Sequence, residues 1–246
     1  MKAVLVRIGV DQEYGRWNAP VDPTSQRFVY LPIPESAGTQ FHPNLERRYK
    51  EFLPELESFC TNRGRCLHND LRFPSELLDR SVHLDPDFKE LTYGDDGARR
   101  GALIKDMTSG DLLVFYAGLR PISPCKHKLV YALVGLYVVD DVVRVAAVPQ
   151  ERWHQNAHTR KSRHGKTDIV VRAKRGRSGR LERCIPIGEW RAGAYRVTQK
   201  VLDAWGGLSV KDGFIQRSAV PPRFTNPRQF LAWFERQGVG LLERNN

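Results

Sequence analysis

The chain has 246 residues, of which 41% are hydrophobic, and a formal net charge of +11. A chain of this length can bury one large core or two small ones, and its apolar content excludes a disordered tail protein. No apolar run approaches the roughly 20 residues that span a bilayer. Residues 1–10 are too short for a signal sequence, so we expect a cytoplasmic protein without membrane partners.

Apolar periodicity predicts the first elements of the chain. Ala3–Val10 is an apolar run typical of a strand, and a loop of residues 11–22 follows it. A short strand is expected at Arg27–Ile33. Apolar residues at three- and four-residue spacing between Leu45 and Phe59 predict a helix within residues 43–64, bent at Pro54.

The middle of the chain predicts a β-rich core over residues 110–187. Five strands are expected, at residues 111–117, 129–139, 142–148, 169–173 and 181–187, and the sequence KRGRSGR reads as a hairpin turn between the last two. Strands at such short spacing favour an α+β fold with a mixed or antiparallel, barrel-like sheet and flanking helices.

Two helices are predicted within residues 198–238. Thr198 is a typical N-cap, and the first helix ends at Gly206. Asn226 and Pro227 begin the second helix, which Gly238 terminates. Because no repeat or long linker interrupts the chain, we predict a single domain over residues 1–246.

The cysteines do not form a recognisable metal motif. Cys60, Cys66, Cys125 and Cys184 include no CxxC pair, so free thiols are expected in a reducing compartment. Cys60 and Cys66 with His68 would give an incomplete zinc site. The absence of GxGxxG, GxxxxGK[ST], HExxH and zinc-deaminase patterns argues against the corresponding enzyme classes, and no cofactor is evident.

Most of the positive charge lies in one stretch. Residues 152–183 hold eleven Lys and Arg against two acidic residues, which is nine of the eleven net charges. The part between Trp153 and Asp168 has no apolar periodicity and is expected to project as a loop that contacts phosphates. The candidate nucleic-acid contacts in this stretch are Trp153, Arg160, Lys161, Arg163, Lys174, Arg175 and Arg177. The alternative is a solvated charged loop.

A second candidate is the loop that follows the first strand. It contains Asp11, Tyr14, Trp17 and Asn18, which are residue types that stack on bases or bind their edges. Trp17 could equally fill one end of the core, and Asp11 could accept from turn amides. Further along the chain, Tyr93, Gln216 and Arg217 are also candidate base or phosphate contacts.

The segment up to residue 96 concentrates acidic and imidazole groups. Alternation along HLDPDF places His83, Asp85 and Asp87 on one side of an extended chain, with Asp95 nearby. One His with two carboxylates can hold a divalent metal or act in acid–base catalysis. Ordinary loop chemistry around Asp-Pro and Asp-Gly is the competing interpretation, so no complete metal site is assigned.

Four stretches resemble a known family. They are VLVRIGVDQEYGRWNAPVD, LDPDFKELTYGD, GDLLVFYAGLRP and AWGGLSVKDGFIQRSAVPPRF. They are similar to the third of the nucleotide modification associated domains, which were named for bacterial and phage gene neighbourhoods linked to DNA base modification. A looser resemblance, through Gly110-Asp111 and the strand that follows, is to the small PUA, EVE and ASCH β-barrels that bind RNA or modified bases.

The resemblance implies a link to modified nucleotides without specifying an activity. Three hypotheses remain: a module that recognises a modified base, an enzyme that uses the segment from His83 to Asp95, or a scaffold subunit for a separate modification enzyme. The expected partner is a nucleic acid, DNA in preference to RNA, or a nucleotide. A separate base-modification enzyme is a further potential partner.

Overall fold

The computed structural model describes residues 1–61, 72–98, 101–216 and 220–246, apart from the side chains of residues 60 and 61. The strands are β1 (Ala3–Arg7), β2 (Pro20–Val21), β3 (Ile33–Pro34), β4 (Val82–His83), β5 (Thr92–Asp95), β6 (Leu112–Pro121), β7 (Val130–Arg144), β8 (Ile169–Ala173), β9 (Gly179–Pro186), β10 (Gly188–Arg191), β11 (Ala194–Val197) and β12 (Leu241–Leu242). The helices are α1 (Leu53–Thr61), α2 (Ala157–Arg160), α3 (Gln199–Trp205) and α4 (Pro227–Arg236).

An eight-stranded mixed sheet forms the centre of this α/β protein. β1 lies parallel to β6, β6 pairs antiparallel with β7, and β7 continues through β8 to β5. β9 pairs with another part of β7, and β12 extends the sheet from β9. β3 with β4, and β10 with β11, form separate two-stranded ribbons. The described strands do not close into a barrel, so the expected barrel-like form is not confirmed.

The core lies around β6 and β7, whose near-continuous apolar runs are buried on both faces. Phe88, Phe115 and Tyr137 pack edge to face, with ring centroids 4.8 to 5.8 Å apart. Gly135 on β7 makes room for this cluster, because a Cβ atom there would lie 2.6 Å from the Phe88 ring. The packing fixes the turn between β4 and β5 against the sheet.

Two predicted features of the central strands are wrong. Residues 142–144 belong to β7 and residues 145–147 form a 3₁₀ turn, so the expected strand at 142–148 does not exist. KRGRSGR is not a hairpin turn: β8 and β9 lie one after the other along β7. β7 has 15 residues and a bulge beyond Val139, and it is therefore long enough to pair with both.

The C-terminal helices agree with the predictions. The Thr198 side chain accepts from the Val201 amide at the start of α3, and Gly206 ends α3 in the left-handed conformation. Asn226 caps α4, with Pro227 as its first residue. The earlier helix, α1, begins only at Leu53, so Pro54 occupies its first turn and no bend results.

In the described part of the chain, no helix is long and apolar enough to cross a membrane. Among the cysteines whose side chains are described, Cys125 is exposed and Cys184 is buried, and both are free thiols. The predicted zinc half-site of Cys60, Cys66 and His68 lies outside the described side chains.

Candidate metal centre

A cleft of about 450 Å³ opens between β1, the loop after it, and the β4, β5 and α2 segments. Its volume suits a small ligand such as a nucleotide. The cleft brings together several polar side chains from distant parts of the sequence: Arg7, Asp11, Tyr14, His83, Asp85, Tyr93, Asp95, Asp96 and His158.

Three of these side chains converge. His83 is the last residue of β4, Asp85 follows it, and His158 lies on α2. His83 Nε2 is 3.7 Å and His158 Nε2 is 3.8 Å from Asp85 Oδ2. One ligand atom from each residue lies within 4.8 Å of the others. This arrangement brings two imidazoles and one carboxylate to a common point.

The far side of each imidazole contacts a second carboxylate. His83 Nδ1 lies 2.9 Å from Glu35 Oε2, and His158 Nδ1 lies 3.2 Å from Asp168 Oδ2. Because an ionised carboxylate only accepts hydrogen bonds, each Nδ1 donates and each Nε2 keeps its lone pair for the central point. Metal-bound histidines typically have such a carboxylate partner.

Asp85 is also held in position. The Gly94 amide donates to both of its oxygens at 2.8 Å, and Asn156 Nδ2 donates to Oδ1 at 3.2 Å. Asn156 is the N-cap of α2 and so positions His158 as well. Gly94 is required because a Cβ atom there would lie 2.3 Å from His158 Cδ2. Backbone and side chains therefore orient this carboxylate together.

The electrostatics of the cluster favour a cation. Burial, the largest cause, lowers the pKa of His83 to about 4, so the imidazole is neutral and can act as a ligand. Burial also raises the pKa of Asp85 well above its usual range. A divalent cation next to this buried carboxylate would oppose that effect and stabilise its ionised form. Burial and the neighbouring Asp96 raise the pKa of Asp95 to about 7.

These residues fit a divalent metal ion. Two imidazoles and a carboxylate are the ligand set of many transition-metal sites. With bonds of about 2.1 Å, ligand atoms stand roughly 3 to 4 Å apart, so a small contraction of the three side chains would complete the coordination. Three protein ligands leave positions for water or substrate.

Of the four predicted catalytic candidates, three line the cleft and one does not. His83, Asp85 and Asp95 line the cleft. Asp87 does not: it is buried in an ion pair with Arg160, 2.6 Å away, and accepts from the amides of the following turn. β4 ends at His83, so the strand alternation that would align all three residues does not reach Asp87.

Of the four candidate residues in the predicted binding loop, two line the cleft and two do not. Asp11 and Tyr14 line the cleft, where Asp11 forms an ion pair with Arg7 at 2.9 Å and Tyr14 is 42% exposed. Trp17 is buried against Phe73, with ring centroids 5.4 Å apart. Asn18 is buried and donates to the Gly118 carbonyl. Trp17 and Asn18 do not line the cleft.

Only part of the basic stretch projects as a loop. Residues 162–167 are exposed and lie outside helices and strands, as expected, whereas the residues before them do not form a loop. Residues 150–155 form a 3₁₀ helix that leads into α2. Trp153 stacks on His42, with centroids 3.7 Å apart. Arg160 is buried and forms an ion pair with Asp87, and Lys161 Nζ lies 3.1 Å from Glu35 Oε2. These side chains anchor the segment that carries His158.

The other predicted phosphate contacts are nearer the solvent. Arg163, Arg175 and Arg177 are exposed, Lys174 is half-buried, and Arg175 forms an ion pair with Glu243. Gln216 accepts from the Tyr195 amide, and its carbonyl accepts from Arg7. Arg217 lies outside the described residues. The role of these side chains in binding nucleic acid remains a prediction.

The sequence did not single out four residues of the centre: Glu35, Asn156, His158 and Asp168. His158 lies in the charge-rich segment, and its distance from His83 in the sequence matches no metal-binding motif. Glu35 and Asp168 are isolated carboxylates, and only their contacts with the imidazoles give them a role. Asn156 was the one residue with a local pattern that could have been recognised, because Asn is a typical helix N-cap.

The fold and the cleft define a mixed α/β protein with a candidate divalent-metal centre. A family profile described as Nucleotide modification associated domain 3 matches residues 2–213. The chain therefore belongs to this family, and the match includes every residue of the centre. Searches of curated proteins and of solved structures give no significant match.

Proposed function

We propose that the protein is a metal-dependent enzyme that acts on a nucleotide unit, free or within DNA. The convergence of His83, Asp85 and His158 in a nucleotide-sized cleft carries this proposal. The family's association with nucleotide modification supports the substrate class. A purely structural cluster would gain nothing from a neighbouring cleft.

A divalent ion held by His83, Asp85 and His158 would supply Lewis-acid activation of a substrate oxygen or of water. Glu35 and Asp168 fix the imidazole orientations, and Gly94 and Asn156 orient Asp85. The cleft wall adds a group suited to a nucleotide, because Tyr14 offers an exposed aromatic face for stacking.

Recognition of a modified base without chemistry is the second candidate. It is favoured by the position of Asp11 and Tyr14 in the same cleft. The Tyr14 ring, which is exposed at the cleft, can contact a base whether or not the base then reacts. The two candidates differ only in what happens to the bound nucleotide.

Metal analysis tests the centre first. The chelator-stripped protein is reloaded separately with Fe²⁺ under anaerobic conditions, Mn²⁺ and Zn²⁺, and bound metal is measured by mass spectrometry. Wild type should hold one ion per chain, and His83→Ala and His158→Ala should lose it. His154→Ala is the matched control, because this imidazole is exposed and outside the cluster. Equal binding by all four proteins would refute the centre.

Product analysis then separates the candidates. The metal-loaded protein is incubated with DNA and with nucleotides, and the recovered nucleosides are analysed by mass spectrometry. A mass change that depends on His83 and His158 supports the enzyme. Binding that leaves every mass unchanged would refute the enzyme and favour base recognition.

A further inference from the structure

A second and larger cavity, an arginine groove of about 1160 Å³, lies elsewhere on the molecule. It is bordered by the loop of residues 24–29, α1, β9 and the C-terminal segment, and it shares no lining residue with the metal cleft. Its charged lining residues are Arg27, Arg180, Arg183 and Arg244, with Glu55 and Glu182.

Arg180 is the unusual member of the arginine groove. Its residue is only 5% exposed, and its Nε is buried with no hydrogen-bond partner in the described chain. The guanidinium lies 4.9 Å from the centre of the Phe28 ring, and Nη1 reaches the Phe28 carbonyl at 3.5 Å. A buried cation normally has an anionic partner, and among the described residues Arg180 has none.

The neighbouring side chains add positive charge to this buried cation. Burial, followed by the charges of Arg244 and Arg27, lowers the pKa of Arg180 to about 10. Arg27, Arg183 and Arg244 are exposed, and within the described ranges none of them forms an ion pair. The groove thus collects like charges whose repulsion an anion would relieve.

We propose that the arginine groove binds phosphate groups, either of a nucleic-acid backbone or of a free nucleotide. Guanidinium groups bind phosphate oxygens through paired, charge-assisted hydrogen bonds, and the exposed side chains of Arg27, Arg183 and Arg244 carry such donors. The volume accommodates several phosphates with their sugars. This inference rests on the groove alone and does not require the metal centre.

The test uses the exposed arginines, because replacing Arg180 would disturb the sheet. Fluorescence anisotropy measures the binding of short labelled single- and double-stranded DNA over a salt series. The double variant Arg27→Gln/Arg244→Gln is compared with Arg228→Gln/Arg236→Gln, which removes the same charge from the exposed face of α4.

The groove variant should bind DNA at least about tenfold more weakly at low salt, with a salt slope smaller by about 2, as expected for two lost phosphate contacts. The control variant should stay close to wild type. Equal weakening of both variants would reduce the effect to net charge and overturn the proposal, as would no loss in the groove variant.

Calorimetry with deoxynucleoside triphosphate and with inorganic phosphate identifies the source of the phosphate. Nucleotide binding that the groove variant loses assigns the site to free nucleotides. DNA binding without nucleotide binding assigns it to the backbone. If the wild-type protein binds neither DNA, nor deoxynucleoside triphosphate, nor inorganic phosphate at low salt, the proposal is wrong.

Discussion

Substitution of Asp168 by Asn tests whether the carboxylates behind the imidazoles serve the metal. Asp168 Oδ2 lies 3.2 Å from His158 Nδ1, and its hydrogen bond and charge interaction with His158 lower the pKa of Asp168 despite partial burial. Asp168→Asn keeps the size of the side chain and removes the charge. It therefore weakens the orientation and basicity of the imidazole without removing the ligand.

Loss of such a partner typically costs 10–100-fold in metal affinity, or about 1.4–2.8 kcal/mol. We expect a loss of this size for Zn²⁺ or Mn²⁺ in competition titrations against a fluorescent chelator. Asp203→Asn is the control: it is the same change on an exposed α3 carboxylate, which accepts from Gln199 and from no other side chain in the described ranges. Wild-type metal affinity in Asp168→Asn, with His158→Ala unable to bind, would refute this role of Asp168.

Three other changes give distinct expected results. Arg160→Ala leaves the buried Asp87 carboxylate unpaired and should lower the free energy of unfolding by about 3–5 kcal/mol in urea titrations. The control Arg163→Ala, on an exposed side chain, should change it by no more than about 0.5 kcal/mol. Similar free energies for the two variants would contradict a structural role of Arg160. Gly94→Ala should displace His158 and weaken metal binding in the same competition titration, and unchanged affinity would show that the ring moves freely. Tyr14→Ala should weaken nucleotide binding to the metal-loaded protein in calorimetry, because the Tyr14 ring is exposed at the cleft. The metal content and the free energy of unfolding should stay unchanged. An unaltered nucleotide affinity would show that Tyr14 is not part of the binding site.

Local patterns predicted much of the fold. The caps Thr198 and Asn226 act within a few residues of themselves, so both C-terminal helices could be predicted. The apolar runs of β6 and β7 were also evident, because strands buried on both faces are continuously hydrophobic. The pairing of β8 and β9 with one long strand could not be read, since register depends on distant partners.

The site was predictable only where its residues are close in sequence. His83 and Asp85 were found together because they are two residues apart, but Asp87 was grouped with them by an alternation that the end of β4 interrupts. His158 reaches the cleft through the fold of the segment after β7, and the same fold places Asp168 behind its imidazole. A single sequence carries no spacing that reveals such a contact.

If the candidate centre binds a metal, the origin of its ligands in separate segments links that binding to folding. His83 and Asp85 adjoin the β3–β4 ribbon, whereas His158 belongs to a helix far along the chain, so the unfolded chain has no equivalent cluster. An ion that binds only the folded state stabilises it by about 2.7 kcal/mol at a free concentration 100 times its Kd. The melting temperature of the protein would therefore depend on the metal supplied, and a panel of ions could be ranked before any substrate is known.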